Sequence, residues 1–421
     1  IGKQLVEPLR YHQKVTKEQA RARALELLAE VGIRDPGSTF DNFPHQFSGG
    51  MRQRVMIAMA LINEPKLLIA DEPTTALDVT IQAQILKLIA ELQTKRDIGV
   101  IFISHDLAVV ADIADQIVVM QAGKIVEGGD SDHIFHHAEH PYTQKLLAAI
   151  PADSKTPLTG EPGNLIEVRN LCTWFEQGKN KEPVKAVDDV SFDIRRGEVL
   201  GLVGESGSGK STIGRSILRL VPVTSGNVTF DGTDVTQLEG GDLKNFRRRM
   251  QMIFQDPFAS LNPRMTVFDT LAEPLLLHGI ENRKSVASGV LKLMDDVGLA
   301  RNFVRKYPHE FSGGQRQRIA IGRALATRPE FIVADEPVSA LDVTIQAQIL
   351  DLMQELGREY GLTMLFVSHD LAVVRHLADR ILVLYKGEVV EQGSGDDLFD
   401  RPQEASTKQL LSASPGRSLL E

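Results

Sequence analysis

A glycine-rich run, GESGSGKST, lies between an apolar run and an amphipathic one and matches the pattern G-x-x-x-x-G-K-[ST]. In a strand–loop–helix of this kind, backbone N–H groups and the helix N-terminus surround a phosphate group. Lys210 would reach the outer phosphates of a nucleotide, and the Ser211 hydroxyl would be a ligand for Mg²⁺. A flexible glycine and serine loop is the weaker alternative, because it does not require the flanking pattern. The predicted phosphate-binding residues are Gly204, Glu205, Ser206, Gly207, Ser208, Gly209, Lys210, Ser211 and Thr212.

Two consecutive carboxylates end an apolar run at two places in the chain. In FIVADEP the two carboxylates are Asp335 and Glu336, and in KLLIADEP they are Asp71 and Glu72. The first carboxylate of such a pair can hold the Mg²⁺ shell, and the second can orient or deprotonate an attacking water. A lone strand ending in Asp-Glu is usually a solvated turn. The nearby phosphate loop and the repetition favour the functional interpretation.

The repetition is part of an internal repeat. Four motifs occur twice, and the second copy of each lies 264 residues after the first, as Asp335 does after Asp71: FSGG, ADEP, ALD and SHDLAVV. The phosphate loop occurs once. We therefore predict a first domain at 1–150 that lacks the loop, a linker at 151–164 and a complete second domain at 165–421. Because Ile1 aligns with Val267 of the second copy, we expect about a hundred residues with a second phosphate loop before Ile1.

Each copy alternates short apolar runs with longer amphipathic ones. In the first copy KLLIAD, GVIFISHD and QIVVM are predicted strands, and VTIQAQILKLIAELQ and LAVVADIAD are predicted helices. Alternation of this kind predicts an α/β fold, with a mainly parallel sheet flanked by helices in each domain. The uniformly apolar strands predict sheets that are buried on both faces.

Composition excludes several other classes of protein. The chain is 42% hydrophobic and 24% charged, which is ordinary for a folded protein, and its net charge of −9 does not suggest a nucleic-acid-binding surface. A single cysteine, Cys172, excludes a disulfide framework and an all-cysteine metal site and favours a reducing, intracellular setting. No apolar run approaches the ~20 residues that span a bilayer, so a partner would have to cross the membrane.

Four motifs in combination resemble the nucleotide-binding domains of ABC transporters: the phosphate loop, FSGGQRQR before ADEP, SALD after it, and VSHD on the next strand. The resemblance covers nearly the whole chain and implies ATP and Mg²⁺ as ligands and a helical subdomain around each FSGG signature. It implies that Gln255 contacts Mg²⁺ and couples to membrane subunits, and that His369 lies near the γ-phosphate. Phe175, or its neighbour Trp174, would stack on adenine.

The signature sequences precede predicted helices, where Ser-Gly-Gly amides can approach a phosphate closely. A plain helix cap is the alternative. In the family the signature acts on ATP bound to the opposite domain, which implies a pseudo-dimer within this chain. The complete site would combine the phosphate loop, Gln255, Asp335, Glu336 and His369 with Ser48, Gly49, Gly50 and Asp78. An incomplete second site would contain Asp71, Glu72, His105, Ser312, Gly313, Gly314, Gln315 and Asp342.

Met51 stands where the usual signature has glutamine. Because Ser48, Gly49 and Gly50 match the family's phosphate-contacting positions, we expect ATP binding to survive this change, whereas the rate of ATP turnover could be altered. The tail HIFHHAEHPYTQKLLAAIP, with FQDPFASLNPRM and YPHEFSGGQRQRIAI, resembles the oligopeptide, dipeptide and nickel importer ATPases. The fused form is similar to glutathione or microcin-type peptide importers. This implies two permease subunits, an extracytoplasmic binding protein and a peripheral position on the cytoplasmic face of the bacterial inner membrane. The second tail, PQEASTKQLL, lacks His-Pro-Tyr.

Two other functions fit tandem ABC domains. A soluble ATPase acting on ribosomes or DNA would favour a long basic arm or zinc cysteines, whereas this linker is short and contains one lysine. A regulatory protein would bind ATP without hydrolysing it. We expect a hydrolysing importer subunit and no nucleic-acid partner.

Overall fold

The computed structural model describes residues 1–75, 77–150, 155, 162–178, 182–339 and 341–415. They divide into two compact units, and we treat residues 1–147 as the first unit and 148–412 as the second. Most of the predicted linker lies outside the described residues. The domain boundaries therefore stay predictions.

The first unit is helical at its start and then alternates strands with helices. Its helices are α1 Gly2–His12, α2 Lys17–Glu30, α3 Pro36–Thr39, α4 Gly49–Leu61, α5 Val79–Arg96, α6 Leu107–Ile113, α7 Ser131–His136 and α8 Pro141–Ala148, with a 3₁₀ turn at Pro44–Gln46. Its strands are β1 Leu67–Asp71, β2 Gly99–Ile103, β3 Gln116–Gln121 and β4 Lys124–Asp130. β1 pairs with β2 in parallel, and β3 pairs with β4 in antiparallel fashion.

The second unit contains two sheets and a helical region. Its strands are β5 Asn164–Phe175, β6 Val184–Arg195, β7 Val199–Gly204, β8 Ser225–Phe230, β9 Thr233–Asp234, β10 Met250–Ile253, β11 Phe331–Asp335, β12 Thr363–Val367, β13 Arg380–Tyr385 and β14 Glu388–Gly393. Its helices are α9 Lys210–Ile217, α10 Gly240–Arg249, α11 Pro257–Ser260, α12 Val267–Leu277, α13 Val286–Asp296, α14 Gly313–Leu325, α15 Val343–Tyr360, α16 Leu371–Leu377, α17 Gly395–Asp400 and α18 Ala405–Ala413. Short 3₁₀ turns lie at Val235–Gln237, Arg301–Arg305 and Pro308–Glu310.

The larger sheet has the strand order β10-β11-β12-β7-β13-β14, parallel except for β14. Every residue of β7, β11 and β12 is buried, because one core lies on each side of the sheet. One core contains residues of α12, α13, α14 and α15, and the other contains residues of α9 and the antiparallel sheet β6-β5-β8-β9. The predicted parallel sheet flanked by helices is confirmed. The phosphate loop follows β7, which lies between β12 and β13 in the middle of this sheet.

The strands of the first unit differ in burial from their repeat partners. From α4 to α8 the elements follow the same order as from α14 to α18, but β1, β2 and β3 have at most one well-buried face. The exposed apolar residues on the other face are Leu67, Ile69, Ile101, Ile103, Val118 and Met120. Their counterparts 264 residues later, Phe331, Val333, Leu365, Val367, Leu382 and Leu384, are buried in the core that includes α9. Burial on both faces is thus wrong for the first unit, because no described element covers this face there.

The two tails are held by the same device despite their different sequences. The Glu127 carboxylate accepts hydrogen bonds from the backbone N–H groups of Glu139, at 2.7 Å, and His140, at 3.3 Å, just before α8. The Glu391 carboxylate accepts those of Gln403, at 2.8 Å, and Glu404, at 3.1 Å, just before α18. Both carboxylates satisfy amide groups at the start of a helix. The second tail therefore docks in this way without His-Pro-Tyr.

Candidate functional site

The phosphate loop joins β7 to α9 through three glycines with positive φ. The angles are +152° at Gly204, +77° at Gly207 and +106° at Gly209. A Cβ atom would lie 2.2 Å from the carbonyl oxygen of Leu384 at Gly204, and 2.0 Å from that of Ala186 at Gly209. Glycine is needed at both positions for backbone conformation and for space. Turns that mix positive and negative φ form anion-binding concavities of backbone N–H groups.

The side chains of this loop turn inward and suit an anion. The Lys210 ammonium group is buried and donates to the carbonyl oxygens of Gly204, at 2.7 Å, and Glu205, at 2.9 Å. The Ser208 hydroxyl is buried and has no hydrogen-bond partner among the described residues. Buried polar groups are normally paired, so this hydroxyl fits a site that receives a further polar group.

Asp335 ends β11 beside the start of α9. The Ser211 hydroxyl donates to its carboxylate at 2.8 Å, and the Arg215 guanidinium lies 3.8 Å from the other oxygen. Only 1% of Asp335 is exposed, and this burial raises its pKa above the ordinary value. A hydroxyl next to a buried carboxylate is the hard oxygen donor set that Mg²⁺ prefers.

Glu336 is the centre of a three-residue polar cluster. The Gln255 side-chain amide donates to the Glu336 carboxylate at 2.8 Å, and the His369 Nδ1 atom lies 3.1 Å from the same oxygen. Burial opposes ionisation of Glu336, but the hydrogen bond and charge of His369, with Lys210 and Gln255, lower its pKa. Burial likewise opposes the charged form of His369, and Glu336 outweighs it and raises the His369 pKa.

The topology explains how distant residues reach one site. Gln255 follows β10, Asp335 ends β11, His369 follows β12 and the phosphate loop follows β7. These four strands are neighbours in one parallel sheet, so their carboxyl ends meet at one edge. Glu336 has a φ of +46°, an uncommon conformation for a residue with a side chain, and its N–H donates to the carbonyl oxygen of Val367 at 2.9 Å. The structure thus brings the predicted phosphate-loop, carboxylate, glutamine and histidine residues together.

Strand geometry distinguishes the two aromatic candidates. The Thr173 hydroxyl lies 2.9 Å from the Ser216 hydroxyl of α9, and alternate residues of a strand share a face, so Phe175 projects on the α9 side of β5. Trp174 projects to the other side, where its indole N–H donates to Asp188 at 3.1 Å and the Lys185 ammonium lies 4.6 Å from its ring centre. This geometry favours Phe175 as the adenine-stacking residue.

The signature residues act as helix caps in the described structure. The Ser312 hydroxyl accepts the N–H of Gln315 at 3.4 Å, and the Gln315 side chain accepts the N–H of Ser312 at 3.1 Å. The Ser48 hydroxyl accepts the N–H of Met51 at 3.3 Å, without a reciprocal bond from a glutamine. The cap alternative therefore holds for both serines, and phosphate contact stays a prediction.

The second glycine of each signature is required by packing. A Cβ atom would lie 2.5 Å from Ile81 at Gly50 and 2.3 Å from Ile345 at Gly314. Gly50 and Gly314 thus pack directly against α5 and α15. Those two helices are N-capped by Asp78 and Asp342, whose carboxylates accept the N–H groups of Ile81, at 2.9 Å, and Ile345, at 3.1 Å. A Cβ atom at Gly49 or Gly313 would lie 3.4 or 3.3 Å, respectively, from a leucine side chain, which is a much looser contact.

The first unit repeats part of the Glu336 cluster. The His105 Nδ1 atom lies 2.9 Å from the Glu72 carboxylate, and the Thr75 hydroxyl donates to that carboxylate at 2.8 Å. Glu72 also has a φ of +46° and follows Asp71 at the end of β1. The phosphate loop of this chain lies in the second unit, at residues 204–212.

Three residues near the site escaped sequence reasoning: Arg215, Asp188 and Gly387. Arg215 lies beside Asp335 because α9 turns it there. Gly387 has a signal in the repeat, since Gly123 occupies the equivalent turn between β3 and β4. Asp188 has no counterpart in the chain, and only the fold shows its partners.

Comparison with known proteins gives two family matches. The family model described as "ABC transporter" matches residues 3–75 and 187–339, and the model "Oligopeptide/dipeptide transporter, C-terminal region" matches residues 126–177. The curated "Glutathione import ATP-binding protein GsiA" of Pectobacterium atrosepticum is 49% identical, over 99% of this chain and 72% of that protein. Its Escherichia coli K12 namesake is 48% identical over the same shares. This chain belongs to the ABC transporter family.

Solved structures of ABC cassettes agree with this assignment. A dimeric ADP- and phosphate-bound cassette, MJ0796, is 32% identical and covers 54% of this chain and 98% of its own, with a TM-score of 0.50. The ABC protein cbiO1 from Clostridium perfringens is 25% identical and covers 56% of this chain and 91% of its own, with a TM-score of 0.50. The family resemblance and the ABC ATPase fold are confirmed. The protein is an ABC-type ATPase that binds a nucleotide. Within the described residues, no helix is both long and apolar enough to cross a membrane.

Proposed function

We propose that this ABC protein hydrolyses ATP to drive import of peptides of the dipeptide, oligopeptide or glutathione type through a membrane permease. The observation that carries the ATPase part is the Glu336 carboxylate, which Gln255 and His369 hold at the sheet edge shared with the phosphate loop. The importer part is supported by the named relatives and the oligopeptide transporter region at residues 126–177.

In this mechanism the phosphate loop and Lys210 bind the phosphates of ATP. Ser211 and Asp335 would hold Mg²⁺, which when bound neutralises the charge that develops on the transferred phosphoryl group. Gln255 can serve both groups, because its N–H donates to Glu336 while its oxygen stays available to the metal.

Glu336 orients the attacking water and accepts its proton. Its lowered pKa keeps the carboxylate ionised at neutral pH, as a proton acceptor must be. His369 fixes the orientation of Glu336 by a direct contact of 3.1 Å, and Gln255 does so by a hydrogen bond of 2.8 Å. Phe175 stacks on adenine from the end of β5.

The partners that we propose are two permease subunits and an extracytoplasmic binding protein, with this subunit peripheral on the cytoplasmic face of the bacterial inner membrane. A groove that includes Phe254, the residue before Gln255, suits a permease segment, because it combines exposed leucines with charged groups. It is lined by Leu218, Leu220, Arg247, Met250, Gln251, Met252, Phe254, Ser260, Glu273, Pro274, Leu277, Arg323 and Ala324. Leu220 is 46% and Leu277 is 60% exposed.

We further propose that Ser48, Gly49, Gly50 and Asp78 complete the nucleotide site that the second unit's phosphate loop begins. Replacing each signature serine by arginine tests this. Ser48→Arg should lower ATP hydrolysis more than Ser312→Arg, because the only phosphate loop in this chain belongs to the second unit. Equal losses, or a larger loss for Ser312→Arg, would contradict the trans arrangement.

The test of the function uses Glu336→Gln with Glu72→Gln as its matched control. Loss of a general base costs about 10²–10⁴ in rate, so Glu336→Gln should abolish hydrolysis while retaining ATP. Glu72→Gln makes the same change in the unit without a phosphate loop and should have a much smaller effect. Lys210→Ala should abolish ATP binding.

Import is tested with the permeases and the binding protein in lipid vesicles. Small peptides or glutathione should raise ATP hydrolysis and accumulate inside the vesicles, and Glu336→Gln should abolish accumulation. ATP hydrolysis that ribosomes or DNA stimulate, and that no peptide changes, would favour a soluble tandem ATPase instead.

A further inference from the structure

The turn between β13 and β14 lies against the phosphate loop and β6 at the same time. The Gly387 N–H donates to the carbonyl oxygen of Ser208 at 2.9 Å, and the Gly387 carbonyl accepts the N–H of Asp188 at 2.9 Å. Ser208 belongs to the phosphate loop and Asp188 to β6. One glycine therefore bridges the loop that binds phosphate and the hairpin that carries the aromatic residues.

The bridge is closely packed as well as hydrogen-bonded. Gly387 has a φ of +88°, and a Cβ atom there would lie 3.1 Å from the carbonyl oxygen of Lys185 and 3.2 Å from that of Ala186. The Ala186 carbonyl also closes the space at Gly209 of the phosphate loop. The phosphate loop, this turn and β6 are thus in direct main-chain contact with one another.

Asp188 extends this connection to the aromatic end of β5. One carboxylate oxygen accepts the indole N–H of Trp174 at 3.1 Å, and the other lies 2.9 Å from the Lys185 ammonium. The Cys172 thiol approaches the same carboxylate at 3.8 Å. Since Phe175 follows Trp174 directly, an anchored Trp174 fixes the strand end from which Phe175 projects.

We propose that Asp188 and Gly387 are positioning residues that couple the phosphate loop to Phe175 and thereby set how tightly the adenine base of ATP is held. The inference rests on the proposed nucleotide site. Gly387 acts through Ser208, and Asp188 acts through Trp174 and Phe175. The predicted consequence is that Asp188 affects the base of the nucleotide, whereas Gly387 affects both the base and the phosphates.

The first test compares Asp188→Asn with Asp189→Asn, using Mg²⁺-ATP and Mg²⁺-inorganic triphosphate as probes. Asp189 is the neighbouring carboxylate, bonds to the Asn170 side chain at 2.7 Å and has a φ of +53°, which asparagine tolerates. In Asp188→Asn, the asparagine keeps only a neutral acceptor for the Trp174 N–H and loses the charge that holds Lys185, so the end of β5 is less firmly anchored. Because base–aromatic stacking contributes about 1–3 kcal/mol, ATP binding should weaken about tenfold. Triphosphate binding should stay within twofold of wild type, and Asp189→Asn should change neither.

Two further readouts separate positioning from general damage. Asp188→Asn should raise KM for ATP with kcat within twofold, because the groups around Glu336 are untouched. Trp174 is the only tryptophan in the chain, so its emission reports directly on the hairpin. Its spectrum should shift in Asp188→Asn, and ATP should change the emission of wild type more than that of this variant.

The second variant, Gly387→Ala, should weaken ATP and triphosphate alike, because the displaced turn carries the N–H that Ser208 accepts. Melting temperatures confirm that each variant is folded. The inference is overturned if Asp188→Asn binds ATP as wild type does, if it loses ATP and triphosphate equally, or if Gly387→Ala changes neither. Wild type that binds no ATP would instead refute the proposed function, and with it this inference.

Discussion

Gly209→Ala tests whether the backbone of the phosphate loop is as closely confined as the contacts imply. A Cβ atom at Gly209 would lie 2.0 Å from the carbonyl oxygen of Ala186. An ordinary carbon–oxygen contact is about 3.4 Å, so the loop and β6 would have to separate by more than about 1 Å. The obstacle is main chain on both sides, and no side-chain rotation relieves it.

The expected effect follows from that displacement. A misplacement of about 1 Å in a binding site costs roughly 10²-fold in rate. Gly209→Ala should therefore lower kcat/KM for ATP about 100-fold, which corresponds to about 2.7 kcal/mol of transition-state stabilisation.

Gly207→Ala is the matched control in the same loop. Gly207 also has positive φ, +77°, but no atom of the described residues outside its own neighbours lies within 4 Å of its Cβ position. Its replacement costs only the backbone conformation, about 1–2 kcal/mol. The assay is steady-state ATP hydrolysis, with ATP binding by calorimetry and melting temperatures for both variants. A Gly209→Ala protein within threefold of Gly207→Ala in kcat/KM would refute the packing argument.

Four other measurements follow from the site and the tail. His369→Ala should move the acidic limb of the pH–rate profile to higher pH, because Glu336 keeps its burial but loses the main group that lowers its pKa; an unmoved limb would contradict that coupling. The interaction of His369 with Glu336 should also make the free energy of unfolding of wild type exceed that of His369→Ala by more at pH 5.5 than at pH 8.5. The reason is that a raised His369 pKa gives stability that is lost as pH rises above the ordinary 6.5. The same difference in unfolding free energy at both pH values would count against this interaction. Burial raises the pKa of Asp335, so acidification should begin to weaken Mg²⁺ binding at a higher pH than it would for a ligand aspartate of ordinary pKa. Titration calorimetry between pH 4 and 8 measures this. Glu391→Gln should speed hydrogen exchange at the start of α18 about tenfold, because a neutral amide replaces the carboxylate that accepts two backbone N–H groups there. Unchanged exchange would show that the tail is held by other contacts.

The chemistry of the phosphate loop and the repeat were readable from the sequence. The loop is a local structure in which the residue types themselves impose the geometry, since positive φ at Gly207 and Gly209 and the following helix are encoded within nine residues. The apolar strands and their terminal carboxylates were predictable for the same reason, because alternation and burial leave a short-range pattern.

Interactions between separate elements were not readable in this way. The assignment of Phe175 over Trp174 depends on which face of β5 packs against α9, and that is decided by Thr173 and Ser216, 43 residues apart. The common docking of the two tails depends on Glu127 within β4 and Glu391 within β14, not on the His-Pro-Tyr sequence that only one tail has.

The exposed face of the first unit shows the same limit. Its strands have nearly the composition of the buried strands of the second unit, so sequence alone predicted burial on both faces. Burial depends on a second layer, and in the second unit that layer is α9 and the antiparallel sheet.

The sequence by itself determined that this chain holds one phosphate loop, two carboxylate pairs and two signatures, because each is a short run whose residue types fix its chemistry. Only the tertiary structure decided that Gln255, Glu336 and His369 form one cluster and that Gly387 joins the phosphate loop to the aromatic hairpin. The physical reason is that the order of strands in a sheet is set by packing across the whole domain, and residues far apart in the chain become neighbours only once that order is fixed.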